Sequence, residues 1–88
     1  MTILVTLITK PDCSMCDQAK AVLAHLSDEY ELRVELVALD SERGQALATG
    51  SGMVFPPGVL LDGEPFSYGR LSERKLRRHL ERAAQSPR

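Results

Sequence analysis

The sequence predicts a single α/β domain: a mixed four-stranded sheet flanked by three helices, in the order β-α-β-α-β-β-α. Three observations lead there. Segments of strand character alternate with segments of helical periodicity. The opening strand–helix–strand unit requires a right-handed parallel crossover. Asp62-Gly63, lying between two strand-like runs, is a strong signal for an antiparallel hairpin. At 88 residues the chain has room for one domain, read here as residues 1–84, with 85–88 as a loose terminus.

Taken in order, Thr2–Thr9 is nearly all apolar and rich in Ile, Leu, Val and Thr, the composition of a strand buried on both faces. Lys10-Pro11-Asp12 breaks it. From Ser14 onward, Met15, Ala19, Val22, Leu23 and Leu26 recur at helical spacing, which predicts a helix to about Leu26 or Ser27. In Glu31–Leu39, Leu32, Val34, Leu36 and Ala38 alternate with Arg33, Glu35 and Val37, the pattern of a largely one-sided strand. Asp40 or Ser41 can cap a short helix to about Leu47, followed by a loop at Thr49-Gly50-Ser51-Gly52. Val59–Leu61 and Glu64–Tyr68 flank the Asp-Gly turn. Ser72 caps the last helix, with Leu71 and Leu76 placed as a hydrophobic staple and Leu76, Leu80, Ala83 and Ala84 as its buried stripe.

Composition narrows the function. The hydrophobic fraction of 43% and charged fraction of 26% are those of an ordinary globular domain. The net charge of −1 does not point to a nucleic-acid or membrane partner. Its distribution is uneven: residues 1–69 carry a net −6 and residues 70–88 a net +5. The basic run Arg74–Arg82 has no interleaved aromatics and reads as a solvated helix face. The apolar run Ile3–Ile8 is far short of the roughly 20 residues of a membrane span and lacks the flanks of a secretory signal. A cytoplasmic monomer is the expectation.

The chemistry sits in Cys13-Ser14-Met15-Cys16, where the first strand gives way to the first helix. A helix N-terminus carries partial positive charge and unpaired N–H groups, and both favour thiolate over thiol. Cys13 falls at the N-cap, and Cys16 follows one turn later on the same face, within disulfide reach. The pattern suits a dithiol that exchanges with a substrate disulfide: Cys13 attacks and Cys16 resolves. Lys10 can support the Cys13 thiolate or bind a substrate carboxylate, whereas Asp12 opposes a second negative charge. A zinc site would need His25 and His79 as well, and His25 lies about 18 Å along the helix from Cys13. No metal site is therefore expected, and both histidines are read as surface residues.

These residues give the chain a resemblance to the glutaredoxins of the thioredoxin-like superfamily. Ile8-Thr9-Lys10-Pro11-Asp12-Cys13-Ser14-Met15-Cys16 is similar to the glutaredoxin start, and Cys16-Asp17-Gln18-Ala19 resembles a bacterial subgroup whose motif continues as C-D-x-A. Pro57-Gly58-Val59-Leu60-Leu61-Asp62-Gly63 resembles the family's cis proline, apolar strand and turn. The resemblance implies a thioredoxin-like fold and thiol–disulfide oxidoreductase activity through a Cys13–Cys16 redox-active pair. It implies glutathione or a protein disulfide as substrate, and a reductase as electron donor. Lys10, Pro56, Pro57 and Arg70 become the substrate-binding positions, with Arg70 and the last helix's start placed where the family holds glutathione's glycyl carboxylate.

Two departures matter. Ser14 and Met15 replace the family's usual Pro-Tyr or Gly-Pro between the cysteines. In the family, the residue before the cis proline pairs with substrate through its backbone N–H and C=O. Here that residue is Pro56, which has no N–H; placing the cis bond at Pro56 instead would restore one through Phe55. Some glutaredoxins bridge a [2Fe–2S] cluster between two copies through the first cysteine and glutathione, and Ser14 leaves that alternative open. A redox-silent interaction module is the third. Phe55, Phe66 and Tyr68 are read as core rather than as lining for a substrate groove.

Overall fold

A computed structural model of the chain describes residues 2–85. Seven elements run in the expected order: β1 (Ile3–Thr9), α1 (Ser14–Leu26), β2 (Leu32–Ala38), α2 (Glu42–Ser51), β3 (Gly58–Leu61), β4 (Glu64–Tyr68) and α3 (Glu73–Gln85). They form one four-stranded sheet ordered β2-β1-β3-β4. β1 pairs parallel with β2 and antiparallel with β3, which pairs antiparallel with β4. This is a thioredoxin-like arrangement.

The sheet is covered on both sides. Val5 and Leu7 of β1 join Val59 and Leu61 of β3 in one core with Ala19, Val22, Leu23 and Leu26 of α1 and Leu71, Leu76 and Leu80 on and before α3. Thr6 and Ile8 face the other way, toward the α2 side, and are also buried. The continuous apolar run of β1 thus has a physical cause: no side of that strand meets water. Thr6 directs its hydroxyl to Glu35 Oε2 at 2.7 Å, and Arg43 of α2 grips the same carboxylate. The Arg43 and Thr6 hydrogen bonds hold Glu35 below the ordinary carboxylate range.

Local chemistry closes each element. Asp62 (φ 49°) and Gly63 (φ 85°) take the left-handed conformations that a tight hairpin demands. Asp62 also pins the turn to β1, its N–H donating to the Leu4 carbonyl (2.7 Å) and its Oδ1 accepting from the Leu4 N–H (2.9 Å). Ser72 caps α3, its hydroxyl accepting from the Lys75 N–H at 3.2 Å. Leu71 and Leu76, the staple pair, are both buried.

The structure corrects the sequence reading at three places. α2 does not stop near Leu47; it runs through Thr49 and Gly50 to Ser51 and ends at Gly52 in the left-handed conformation (φ 73°). Tertiary closure outweighs the poor helix propensity of those residues, and Ser41, not Asp40, is the cap. In β2 the alternating apolar set is not the buried one. Val34 and Leu36 are exposed at 39% and 57%, while Val37 is buried. β2 is an edge strand, and α1 covers β1 and β3 more fully than it covers the edge. Thirdly, Phe55 and Tyr68 are exposed, so only Phe66 packs against the core. Gln85 closes α3, while the rest of the expected loose terminus and the side chain of Ala84 lie outside the described residues.

α2 depends on a close approach. A Cβ at Gly44 would collide with the Ala38 carbonyl of β2, whereas one at Gly50 would meet nothing within 4 Å. Two alanine substitutions in one helix should therefore differ in sign. Gly44→Ala is expected to destabilise by about 1–3 kcal/mol, and Gly50→Ala to stabilise by roughly 0.5–1 kcal/mol. Urea unfolding midpoints of the two variants check both.

Candidate functional site

The chain leaves β1 through Lys10 and Pro11, both exposed, and turns at Asp12, whose φ of 54° lies in the left-handed region. Asp is one of the few side chains that tolerates that conformation. The turn delivers Cys13 in extended geometry (φ −123°, ψ 104°) as the N-cap of α1. There its sulfur does the work that a Ser or Asp oxygen usually does. The Cys16 N–H donates to Cys13 Sγ at 3.1 Å, and the Cys13 carbonyl accepts from the N–H groups of Cys16 and Asp17.

Cys13 and Cys16 are joined as a disulfide, their Cα atoms 5.2 Å apart. The two sulfurs sit in different surroundings. Cys13 is partly exposed, while Cys16 is 1% exposed and belongs to the buried face of α1. An incoming group therefore reaches Cys13 first.

Three more pieces of chain meet at this end of the sheet. Ile8 pairs with Gly58, so Pro57, the buried residue before β3, lies beside the end of β1. The Pro56-Pro57 bond is cis, which settles the choice between the two prolines in favour of Pro57. Neither ring nitrogen carries a hydrogen, so this segment presents carbonyls and no backbone donor. Pro57's own carbonyl accepts from the Gly69 N–H at 2.8 Å, which brings the turn holding Arg70 to the same end. Arg70 is exposed, and Pro56 is half-buried.

The third piece is a tie that the sequence does not announce. Gln18, in the second turn of α1, donates through Nε2 to the Leu71 carbonyl (2.8 Å) and accepts through Oε1 from the Leu71 N–H (3.1 Å). One side-chain amide thus satisfies both backbone groups of a residue 53 positions away. The only local hint is a polar residue lodged between Cys16 and Ala19, two buried positions. An apolar rim borders the site. Phe55 lies over Gly69, where a Cβ would strike its ring, and meets Tyr68 edge-to-face at 5.2 Å. Val54 beside it is exposed.

The sequence of this domain matches the glutaredoxin-like domain (DUF836) family over residues 4–81. The chain belongs to that family. Among solved structures, this glutaredoxin-like domain is similar to a point mutant of thioredoxin from Halobacterium salinarum NRC-1. The TM-score is 0.73 at 22% identity, covering 98% of this chain and 78% of that one, a likeness that shows the fold. A comparison with curated proteins returns no match.

The remaining candidates lie elsewhere. His25 is exposed near the far end of α1 and pairs through Nδ1 with Glu73 at 2.9 Å, whereas His79 is exposed on α3 with its ring edge-to-face against Phe66. Among the described residues no three His, Cys, Asp or Glu side chains come together as a metal site. No described helix is long and apolar enough to cross a membrane.

Gln18→Leu keeps the volume of the side chain and removes both hydrogen bonds, leaving two part-buried backbone groups of Leu71 without partners. The glutaredoxin-like domain should lose about 1–3 kcal/mol of stability, read from denaturant unfolding. Gln18→Glu keeps the acceptor for the Leu71 N–H but sets a second carboxylate oxygen against the Leu71 carbonyl, so it too should destabilise.

Proposed function

We propose that this glutaredoxin-like protein is a dithiol–disulfide oxidoreductase that acts on protein disulfides, as a monomer in the cytoplasm. The carrying observation is the asymmetry of the cysteine pair. Cys13 is the accessible N-cap whose sulfur accepts an N–H at 3.1 Å, and its bonded partner Cys16 is buried behind it.

The chemistry follows from those positions. With the pair reduced, the Cys13 thiolate attacks one sulfur of a substrate disulfide. A Cys13–substrate bond forms, and the substrate's other sulfur leaves as a thiolate that takes up a proton. Cys16 then loses its proton and attacks Cys13 Sγ, breaking the mixed disulfide and releasing the second substrate thiol. Two electrons pass to the substrate, and the Cys13–Cys16 disulfide is the product. An external dithiol, or a reductase that supplies one, resets it.

The helix N-terminus and the Cys16 N–H stabilise negative charge on Cys13 in the reduced state. Lys10, exposed in the same connection, is assigned here to assist. Pro56, held by the cis bond to Pro57, offers its carbonyl to an extended substrate segment, and Val54, Phe55 and Tyr68 offer apolar surface beside it. Glutathione gains less here than in its usual setting, because Pro56 cannot donate the backbone hydrogen bond expected at its position. Such a bond nets about 0.5–1.5 kcal/mol, so its loss weakens glutathione binding several-fold. A protein substrate can recover that loss over a larger contact.

The Cys16→Ser variant should arrest the reaction at the mixed disulfide. Mixed with cell extract, it is expected to retain proteins through Cys13 that dithiothreitol releases; recovery of none would remove the catalytic reading. In the reduced wild-type protein, Cys13 is expected to ionise below the free-cysteine value of about 8.5, followed by thiolate absorbance against pH. An ordinary titration would leave the helix N-terminus without the role given to it.

A further inference from the structure

The basic residues of the last helix are not all alike. Arg77 is consumed internally: it donates to Glu29 and to Glu73, both within hydrogen-bond range. Arg70, Lys75, Arg78 and Arg82 have no ion pair among the described residues. Those four unpaired cations line one groove of about 470 Å³ between α3 and β4, the edge strand opposite β2. Ser67 lines it too, and its buried hydroxyl has no hydrogen-bond partner.

We propose that this groove binds an acidic, extended peptide segment, and that the segment flanks the disulfide of a protein substrate. The use made of the groove rests on the oxidoreductase reading above; the binding itself does not. Charge complementarity sets the ligand's sign. Lys75, Arg78 and Arg82 follow one another at helical spacing over about 10 Å, which matches roughly three residues of extended chain. The groove is short and local, and residues 1–69 carry a net −6, so a long polyanion leaving it runs against the rest of the molecule. The aromatic rings at its floor are already engaged edge-to-face, Phe66 with His79 and Tyr68 with Phe55, rather than presented as a stacking platform for bases. An acidic peptide fits these constraints better than a nucleic acid.

Continuity with the redox site gives the groove its purpose. Arg70 opens it and follows Gly69, whose N–H donates to the Pro57 carbonyl. A segment seated along α3 therefore enters from the end of the sheet that carries Cys13.

The test uses the full-length oxidised protein and a fluorescein-labelled, cysteine-free octapeptide alternating Glu and Val, followed by anisotropy at low and high salt. Binding is expected, weakening as salt screens it. Arg78→Glu and Arg82→Glu should each weaken it about tenfold, whereas Arg74→Glu, an equal charge change on α3 outside the groove, should leave it within about twofold. Both groove positions are exposed, so the fold should survive, and Lys75→Gln gives a milder second probe if either reversal unfolds the chain. No binding, equal weakening by Arg74→Glu, or tighter binding of a single-stranded oligonucleotide of matched charge would each overturn the proposal. A second arm compares kcat/KM for disulfide peptides with Glu or Gln flanks, and a several-fold preference for Glu that Arg78→Glu abolishes is expected. Turnover with no such preference overturns the substrate assignment. Peptide binding without turnover of any disulfide instead overturns the oxidoreductase reading and leaves the groove standing.

Discussion

The arrangement at the cysteine pair depends on β1 being buried on both of its faces. Val5 and Leu7 are locked into the α1–α3 layer, and Thr6 and Ile8 into the α2 layer. A strand held from both sides has no freedom to tilt or slip, because a one-residue shift would exchange the two sets. Its C-terminal end is therefore a fixed point. Only the short connection 10–13 separates that point from α1, and the left-handed Asp12 sets the angle of entry. The cap geometry at Cys13 is thus a consequence of core packing several residues away.

Fixing one end of α1 would not by itself bring the Pro57 and Arg70 segments to it. Two long-range contacts do that. The Gly69 N–H ties the turn after β4 to the Pro57 carbonyl, and Gln18 ties the same turn to α1 through Leu71. Leu71 is also the staple residue of α3, buried against Leu76 and the core. The residue that anchors the last helix is therefore the one that registers it against the cysteine helix. Packing and site geometry share a single position, which makes Gln18 a positioning residue for the site as well as a structural one.

What the sequence reveals and what it conceals follow the range of the interactions. β1, α1, the Asp62-Gly63 turn and the Cys13 cap were legible because each is specified within one turn or a few alternations of chain. The Gln18 tie spans 53 positions, and a glutamine that bonds solvent looks the same in sequence as one that bonds a distant backbone. Val34 and Leu36 alternate as core residues do; their exposure arises because β2 is an edge strand, which pairing alone decides. The extra turn of α2 was hidden for the opposite reason. Thr49, Gly50 and Ser51 argue against helix locally, and Gly52 ends it only once the left-handed cap conformation is reached.

The charge asymmetry gains meaning from the same comparison. As a sequence, residues 70–88 form a basic tail and nothing more specific. In the fold, Arg77 turns inward to Glu29 and Glu73 and ties the α1–β2 connection to α3, and its hydrogen bond holds the Glu29 carboxyl below the ordinary carboxylate range. Lys75, Arg78 and Arg82 are left on the side of α3 that faces β4, with Arg70 just before the helix and Arg74 outside the groove. Pairing Arg77 and sparing the other cations gives the basic helix an internal and an external face. Since the rest of the chain is acidic, that external face is where a negatively charged partner meets attraction, and it leads to the end of the sheet that bears Cys13. On the proposed reading, the charge distribution orients a substrate before any contact with sulfur. A dithiol in a half-open site has little selectivity of its own, because disulfides differ little at the sulfur atoms. Discrimination must come from surface that the chemistry does not use.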